Sequence, residues 1–229
     1  MNKKGSLGTT SHKKRIAIVD DHTLIREGLK YLIENEDDLE CCGFAANTQD
    51  AIRLVQETKP DLVTVDITMP GRNGLELIKD LISFAPGLPT LVISMHDETL
   101  YAQRVLKAGA KGFVMKDAGS QTLLKAMRQV LCGGIYVSAA MSLQILEAFS
   151  GKNANRAMDG VHRLSDREFE VFQHIGEGRS TQQIADILTI SVKTVEVHRA
   201  HIREKLKLED GAAVLRYAVR WTESKKLCV

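Results

Sequence analysis

Five polar residues stand where apolar runs stop. Asp20 and Asp21 follow "RIAIV", Asp66 follows "DLVTV", Ser94 follows "LVI", and Lys116 follows "GFVM". A carboxylate at the tip of an apolar strand is costly unless something offsets its charge. Three such carboxylates held within a few ångströms repel one another strongly unless a cation sits among them. Their hard oxygens suit Mg2+, which keeps waters and accepts a phosphate oxygen. Ser94 offers a hydroxyl donor and Lys116 a point charge, both suited to an added phosphoryl group. The chemistry these residue types share is phosphoryl transfer to Asp66 as nucleophile, with Mg2+ and Lys116 neutralising the charge that develops. Singly, each residue has a plainer reading, a helix cap or a solvated lysine. Four matched strand ends favour the joint one.

The elements that must bring these residues together can be read from the pattern. Between residues 15 and 131, short apolar runs alternate with amphipathic stretches near 23–35, 48–58, 74–84, 99–108 and 120–131. Near-continuous apolar strands alternating with helices indicate a parallel sheet covered on both faces. Breakers fall between the elements: Pro60, "MPGRNG", "APGLP" and "KAGAKG". The expected fold is an α/β doubly wound five-stranded parallel sheet of order 2-1-3-4-5. In such sheets the carboxyl ends of the strands line the ligand crevice.

The second half has another texture. Residues 132–160 read as a linker that includes a helix over 139–150, and "GKNANRAMDG" within it as a flexible stretch. From 161 to 229 only helices are expected. Ser165 with Glu168 and Ser180 with Gln183 fit the capping box, and Ser191 is a third N-cap. "STQQIADILTISVKTVEVHRAHIREKLK" spells helix, tight turn, helix. Ile184, Ala185, Ile187 and Leu188 form one apolar face, and Val192, Val195, Ile202 and Leu206 the next. Residues 191–207 carry five Lys/Arg against two Glu, a locally basic face of a length that fits the major groove of double-stranded DNA. His198 and His201 lie three apart on that helix, but with no third ligand nearby they read as packing residues. The last helix, near 212–222, offers Val214, Leu215, Ala218, Val219 and Trp221 for packing or pairing.

Composition sets the limits. The chain has 229 residues, 44% hydrophobic and 26% charged, ordinary values for a water-soluble protein. No apolar run approaches the roughly 20 residues of a membrane span, and residues 1–14 form a polar, basic tail expected to be disordered, with no signal-peptide core. A cytoplasmic protein without a membrane partner is expected. The four cysteines, at 41, 42, 132 and 228, lack metal or disulfide-framework spacing. Residues 15–131 hold 13 Lys/Arg against 17 Asp/Glu, and residues 161–229 hold 12 against 10. The acidic half and the mildly basic half agree with DNA as the partner of the latter.

The motifs "IVDDH", "DLVTVDITMPGRNGLEL", "LVISMHDE" and "VLKAGAKGFVMK" resemble a response-regulator receiver domain over nearly all of 15–131. "LSDREFEVFQHIGEGRSTQQIADILTISVKTVEVHRAHIREKL" resembles the LuxR-type helix-turn-helix, and the two halves together the NarL/FixJ class of response regulators. The resemblance implies that Asp66 takes a phosphoryl group from a sensor histidine kinase. It implies that Asp20, Asp21, Asp66 and the backbone carbonyl of Thr68 hold Mg2+, that Ser94 is the switch hydroxyl, and that Lys116 pairs with the phosphate. Phe113 matches the rotating aromatic but has no hydroxyl for a hydrogen-bonded switch. Glu196, Val197 and Ala200 are implied to face the bases, with Lys193, Thr194, Arg199 and Arg203 mostly on phosphates. A homodimer on phosphorylation follows from the same likeness. Some relatives carry lysines at the positions of Glu196 and Ala200, so their operator sequence does not carry over. The expected function is a two-component response regulator that controls transcription, and not a turnover enzyme. The alternative is a haloacid-dehalogenase-type phosphatase, which needs an acid two residues after the nucleophile, where this chain has Thr68. A third reading is a receiver that works without phosphate.

Overall fold

The computed structural model describes residues 12–69, 73–149 and 160–226. Residues 1–11, 70–72, 150–159 and 227–229 lie outside that description, and with them most of the basic tail, the break at Pro70 and Gly71 and most of the stretch "GKNANRAMDG". Two compact units divide the chain, Met1–Met141 and Ser142–Val229.

In the first unit, strands β1 (Lys14–Val19), β2 (Leu39–Ala45), β3 (Leu62–Val65), β4 (Thr90–Ser94) and β5 (Gly112–Met115) alternate with helices. These are α1 (Thr23–Glu34), α2 (Thr48–Thr58), α3 (Gly74–Phe84), α4 (Glu98–Ala108) and α5 (Ser120–Leu131). The sheet order is β2-β1-β3-β4-β5, and every pairing is parallel. Ile16, Ile18, Leu62, Val63, Leu91 and Val92 are wholly buried, which is why these strands read as continuous apolar runs. Ile33 of α1 and Leu124 and Met127 of α5 pack with Leu39 of β2 on one face of the sheet.

The edges of the elements are set by polar contacts. Asn47 and Asn73 cap α2 and α3, their side chains accepting from the N–H groups of Asp50 and Glu76. β1 begins at Lys14, inside the stretch expected to be a disordered tail. The Lys14 N–H donates to Asp38 O at 2.8 Å and its ammonium pairs with Asp61 at 2.9 Å. β2 starts two residues before the apolar run "CCGFAA", because Leu39 is buried opposite Lys14. At Gly74 a β-carbon would collide with the carbonyl oxygen of Asp66. Glycine is what lets α3 start directly against the tip of β3.

Beyond α5, Tyr136 makes a parallel bridge to Gly112 on the outer edge of β5. Helix α6 (Ala139–Phe149) follows, then a 3-10 turn at Gly160–Arg163. The second unit also holds α7 (Asp166–Gly176), α8 (Thr181–Leu188), α9 (Val192–Lys205) and α10 (Gly211–Lys226). Both capping boxes are formed, Ser165 with Glu168 and Ser180 with Gln183, and Ser191 caps α9. Thr189 ends α8 in the left-handed region, at φ 52°, which gives the tight turn into α9. Phe169, Phe172, Ile184, Val195, Ile202 and Trp221 form the core. Trp221 meets Phe169 and Phe172 nearly edge-on, at 5.7 and 5.5 Å.

Five positions depart from the apolar faces expected of the sequence. Val192 is 40% exposed, Ile187 41% and Leu215 44%, while Leu206 and Val219 are only half-buried. Val192 opens α9 and Leu206 closes it, so neither terminal turn is fully covered by the core.

Candidate functional site

Parallel pairing puts the carboxyl ends of all five strands on one side of the first unit. Val19 lies opposite Val65 in the ladder, so the residues that follow, Asp20 and Asp66, are brought side by side. The Asp66 N–H donates to Val19 O at 2.8 Å. Across β4, Ser94 pairs with Met115, and the Lys116 N–H donates to Ser94 O at 2.9 Å. The Lys116 ammonium then turns inward, 2.6 Å from Asp20 Oδ2 and 2.8 Å from Asp66 Oδ2. All three side chains are at least 95% buried.

Burial pushes the Asp66 carboxyl above its ordinary pKa, although the Lys116 hydrogen bond works against that and the neighbouring Asp20 charge with it. Burial also disfavours the charge on Lys116, but hydrogen bonds to Asp20 and Asp66 outweigh it and its pKa rises. One cation shared by two carboxylates accounts for both directions: the lysine has two partners, each carboxylate only part of one.

Asp20, Asp21, His22 and Asp66 offer ligand atoms within 4.8 Å of one another. Asp21 Oδ1 is buried without a hydrogen bond, though His22 Nδ1 stands 2.8 Å away in a poor geometry for one. The His22 N–H and ring both address Asp20 Oδ1, at 2.8 and 3.3 Å. An unbonded buried carboxylate oxygen among other carboxylates is the donor set a hard divalent cation fits.

The remaining expected residues take distinct places. Ser94 is fully buried, and its hydroxyl oxygen accepts from the His96 N–H at 3.2 Å. Thr68 is exposed, with its hydroxyl 2.5 Å from His96 Nε2. The His96 ring lies 4.6 Å from that of Tyr101. Phe113 is wholly buried in β5, and its N–H donates to Tyr136 O at 2.9 Å. His22 and His96 were not marked by spacing or by any apolar pattern. Both stand one or two residues past a strand-end polar residue, and that adjacency is the one signal the sequence offers.

On α9, Lys193, Glu196, Val197, Ala200 and Arg203 are exposed on one face, while Thr194 and Arg199 are half-buried. Glu196 accepts a hydrogen bond from the Thr181 hydroxyl at 3.0 Å and lies 3.9 Å from Arg199 Nε, which ties it to the start of α8. The Thr194 hydroxyl is 2.8 Å from that of Ser191. Arg167 fixes the other end of α8 by donating to Leu188 O at 2.7 Å. His198 and His201 do not converge: His201 faces Glu168 at 3.6 Å, and His198 Nδ1 is buried without a hydrogen bond.

Residues 16–128 match the response regulator receiver domain, and residues 162–218 match the bacterial regulatory proteins of the luxR family. The chain belongs to the two-component response regulators that join a receiver to a luxR-type DNA-binding domain and control transcription. It is similar to the oxygen regulatory protein NreC of Staphylococcus carnosus, 34% identical over 210 residues, or 90% of this chain and 97% of NreC. Among solved structures, a LuxR-family two-component response regulator from Aurantimonas sp. SI85-9A1 is 32% identical. It covers 61% of this chain and 99% of its own, with a TM-score of 0.57. RcsB of Salmonella enterica serovar Typhimurium, bound to promoter rprA in the presence of the phosphomimetic BeF3-, is 25% identical. That match spans 91% of this chain and 99% of RcsB, at a TM-score of 0.62. These relationships lend no support to the phosphatase alternative. No helix among the described residues is long and apolar enough to cross a membrane.

Proposed function

We propose that phosphorylation of Asp66 by a sensor histidine kinase governs binding of α9 to double-stranded DNA. The observation that carries this is the buried Lys116 ammonium between Asp20 and Asp66. A carboxylate oxygen of Asp66 attacks phosphorus, the bond to the donor nitrogen breaks, and the imidazole leaves with the electron pair. Once Asp66 carries the phosphoryl group as an acyl phosphate, Lys116 turns to the new phosphoryl oxygens. Ser94 already accepts from the His96 N–H, which leaves its own hydrogen for a phosphoryl oxygen. Asp20, Asp21, Asp66 and the Thr68 carbonyl would hold Mg2+, which when bound supplies positive charge against the transferring group. Phe113 is the aromatic that follows the change at Ser94.

In the second half, Glu196, Val197 and Ala200 read base edges. Lys193, Thr194, Arg199 and Arg203 anchor to phosphates. RcsB, to which the chain is similar, binds promoter rprA, which supports DNA as the partner of this half. Residues 15–131 form the receiver and 161–229 the DNA-binding domain, joined by 132–160. A phosphorylated homodimer on a two-fold symmetric site suits such a domain, and the cytoplasm is the compartment where kinase and DNA meet. Incubation with acetyl phosphate and Mg2+ tests the reading. Intact mass rises by roughly 80 Da, one transferred phosphoryl group, in the wild type and not in Asp66→Asn.

A further inference from the structure

Between the receiver sheet and α6 the chain does not run free. The Tyr136 N–H donates to Lys111 O at 2.9 Å, and Tyr136 O accepts from the Phe113 N–H at the same distance. At Gly112 a β-carbon would come within 2.6 Å of Tyr136 O, so the close approach depends on that glycine. Two residues on, the Ser138 N–H donates to Glu98 Oε1 at 2.7 Å. Ser138 in turn caps α6, its hydroxyl accepting from the Met141 N–H at 3.1 Å, and Met141 is buried.

Glu98 has a second attachment. It is the first residue of α4, four positions after Ser94, and the loop between them contains His96, bonded to both Ser94 and Thr68. The start of α6 is thus fastened by one side chain from the first turn of α4, just across a short loop from Ser94, and by a backbone pair next to Phe113. A shift of Ser94 toward a phosphoryl oxygen draws on the same short loop that ends in Glu98. We propose that Glu98 is the positioning residue through which the state of Asp66 reaches α6, by holding or releasing the backbone of Ser138. This rests on the phosphorylation reading given above. The carboxylate–amide bond is the element with two states: made, it fixes the N-terminus of α6; broken, it frees the segment 135–141 at that end.

Amide hydrogen exchange of the full chain, followed by mass spectrometry over residues 134–146, tests this with and without acetyl phosphate and Mg2+. In the wild type, phosphorylation changes exchange in that segment. Glu98→Ala exchanges there roughly tenfold faster or more without phosphate, the factor expected for loss of one hydrogen bond to a charged group, and phosphorylation adds little. Glu98→Gln keeps an acceptor oxygen without the charge and falls between wild type and Glu98→Ala. Ser138→Pro deletes the donor from the other side and the cap on the Met141 N–H with it; it exchanges at least as fast as Glu98→Ala, and adding Glu98→Ala to it makes no further difference. An equal response to phosphate in Glu98→Ala and wild type, both carrying the adduct of roughly 80 Da, overturns the role of Glu98 alone. Absence of that adduct from the wild type overturns the phosphorylation reading, and the proposal with it.

Discussion

Lys205 grips both carboxylate oxygens of Glu168, at 2.9 and 2.6 Å, and so joins the last turn of α9 to the first turn of α7. Glu168 is buried and also closes the capping box on the Ser165 N–H at 2.7 Å. Burial alone would raise its pKa, but the bonds from Lys205 and Ser165 outweigh it and hold it below the ordinary value. The pair fixes the C-terminal end of α9 against the start of α7.

Lys205→Ala should therefore lower stability by roughly 1–2 kcal/mol, a modest figure because the ammonium is partly solvated. A carboxyl with a depressed folded pKa stabilises above its unfolded pKa, about 4.3 for a free glutamate. That contribution fades as pH falls through the folded value. Thermal melts of wild type and variant at pH 7 should differ, and the gap should narrow below about pH 4. An equal gap at both pH values would show that Glu168 is not the partner that matters.

Lys116→Met leaves Asp20 and Asp66 buried without their cation. In the presence of chelator the expected loss is roughly 3–5 kcal/mol at neutral pH. Asp66→Asn should instead match or exceed wild-type stability. A carboxyl whose folded pKa is raised loses stability as pH rises through that value, and the amide carries no such loss. Urea titrations at pH 7 with EDTA check both, and a destabilised Asp66→Asn would contradict the electrostatic account.

Asp20→Ala combined with Asp21→Ala removes the cluster's unbonded oxygen and two of its charges. Adduct formation with acetyl phosphate should slow by about a hundredfold or more, as loss of a charge clamp does elsewhere. EDTA should slow the wild type just as much and leave the double variant unchanged. The readout is the initial rate by intact mass; a chelator effect of equal size in both proteins would place the metal somewhere else.

Base reading and phosphate anchoring should separate on α9. Val197→Ala changes which sequence is preferred, by roughly 1–3 kcal/mol per base pair. Lys193→Ala or Arg203→Ala weakens every sequence alike, and each flattens the salt dependence by about one ion. Thr181→Ala frees Glu196 from α8 and should broaden preference without touching the salt slope. Fluorescence anisotropy over a salt series distinguishes these outcomes.

The sheet was legible because parallel strands buried on both faces must be apolar along their whole length, as "RIAIV" and "TLVIS" are. Strand-end residues then fell into place, since the order of a doubly wound sheet brings them to one side. Three features stayed hidden. Thr68 and His96 lie 28 positions apart in two loops, and a loop contact leaves no period in the sequence. Tyr136 joins β5 through backbone hydrogen bonds, which leave no side-chain period, so "GGIYVS" reads only as a break. Val192 fits the apolar arc of α9 yet stands exposed, because a helical period marks a face but not how far along the helix the core reaches.

The bridge from Tyr136 to Gly112 has a practical meaning for anyone shortening this chain. β5 is an outer strand of four uncharged, mostly apolar residues, and bare strands of that kind pair with copies of themselves. The segment around Tyr136 satisfies Lys111 O and the Phe113 N–H, leaving little for a second molecule to grip. A receiver cut at Leu131 loses that cover and should self-associate. One cut after Met141 keeps it and should stay monomeric at the same concentration. Ten residues that look like spare linker act as a hem, keeping the fabric of the sheet from catching on its neighbour.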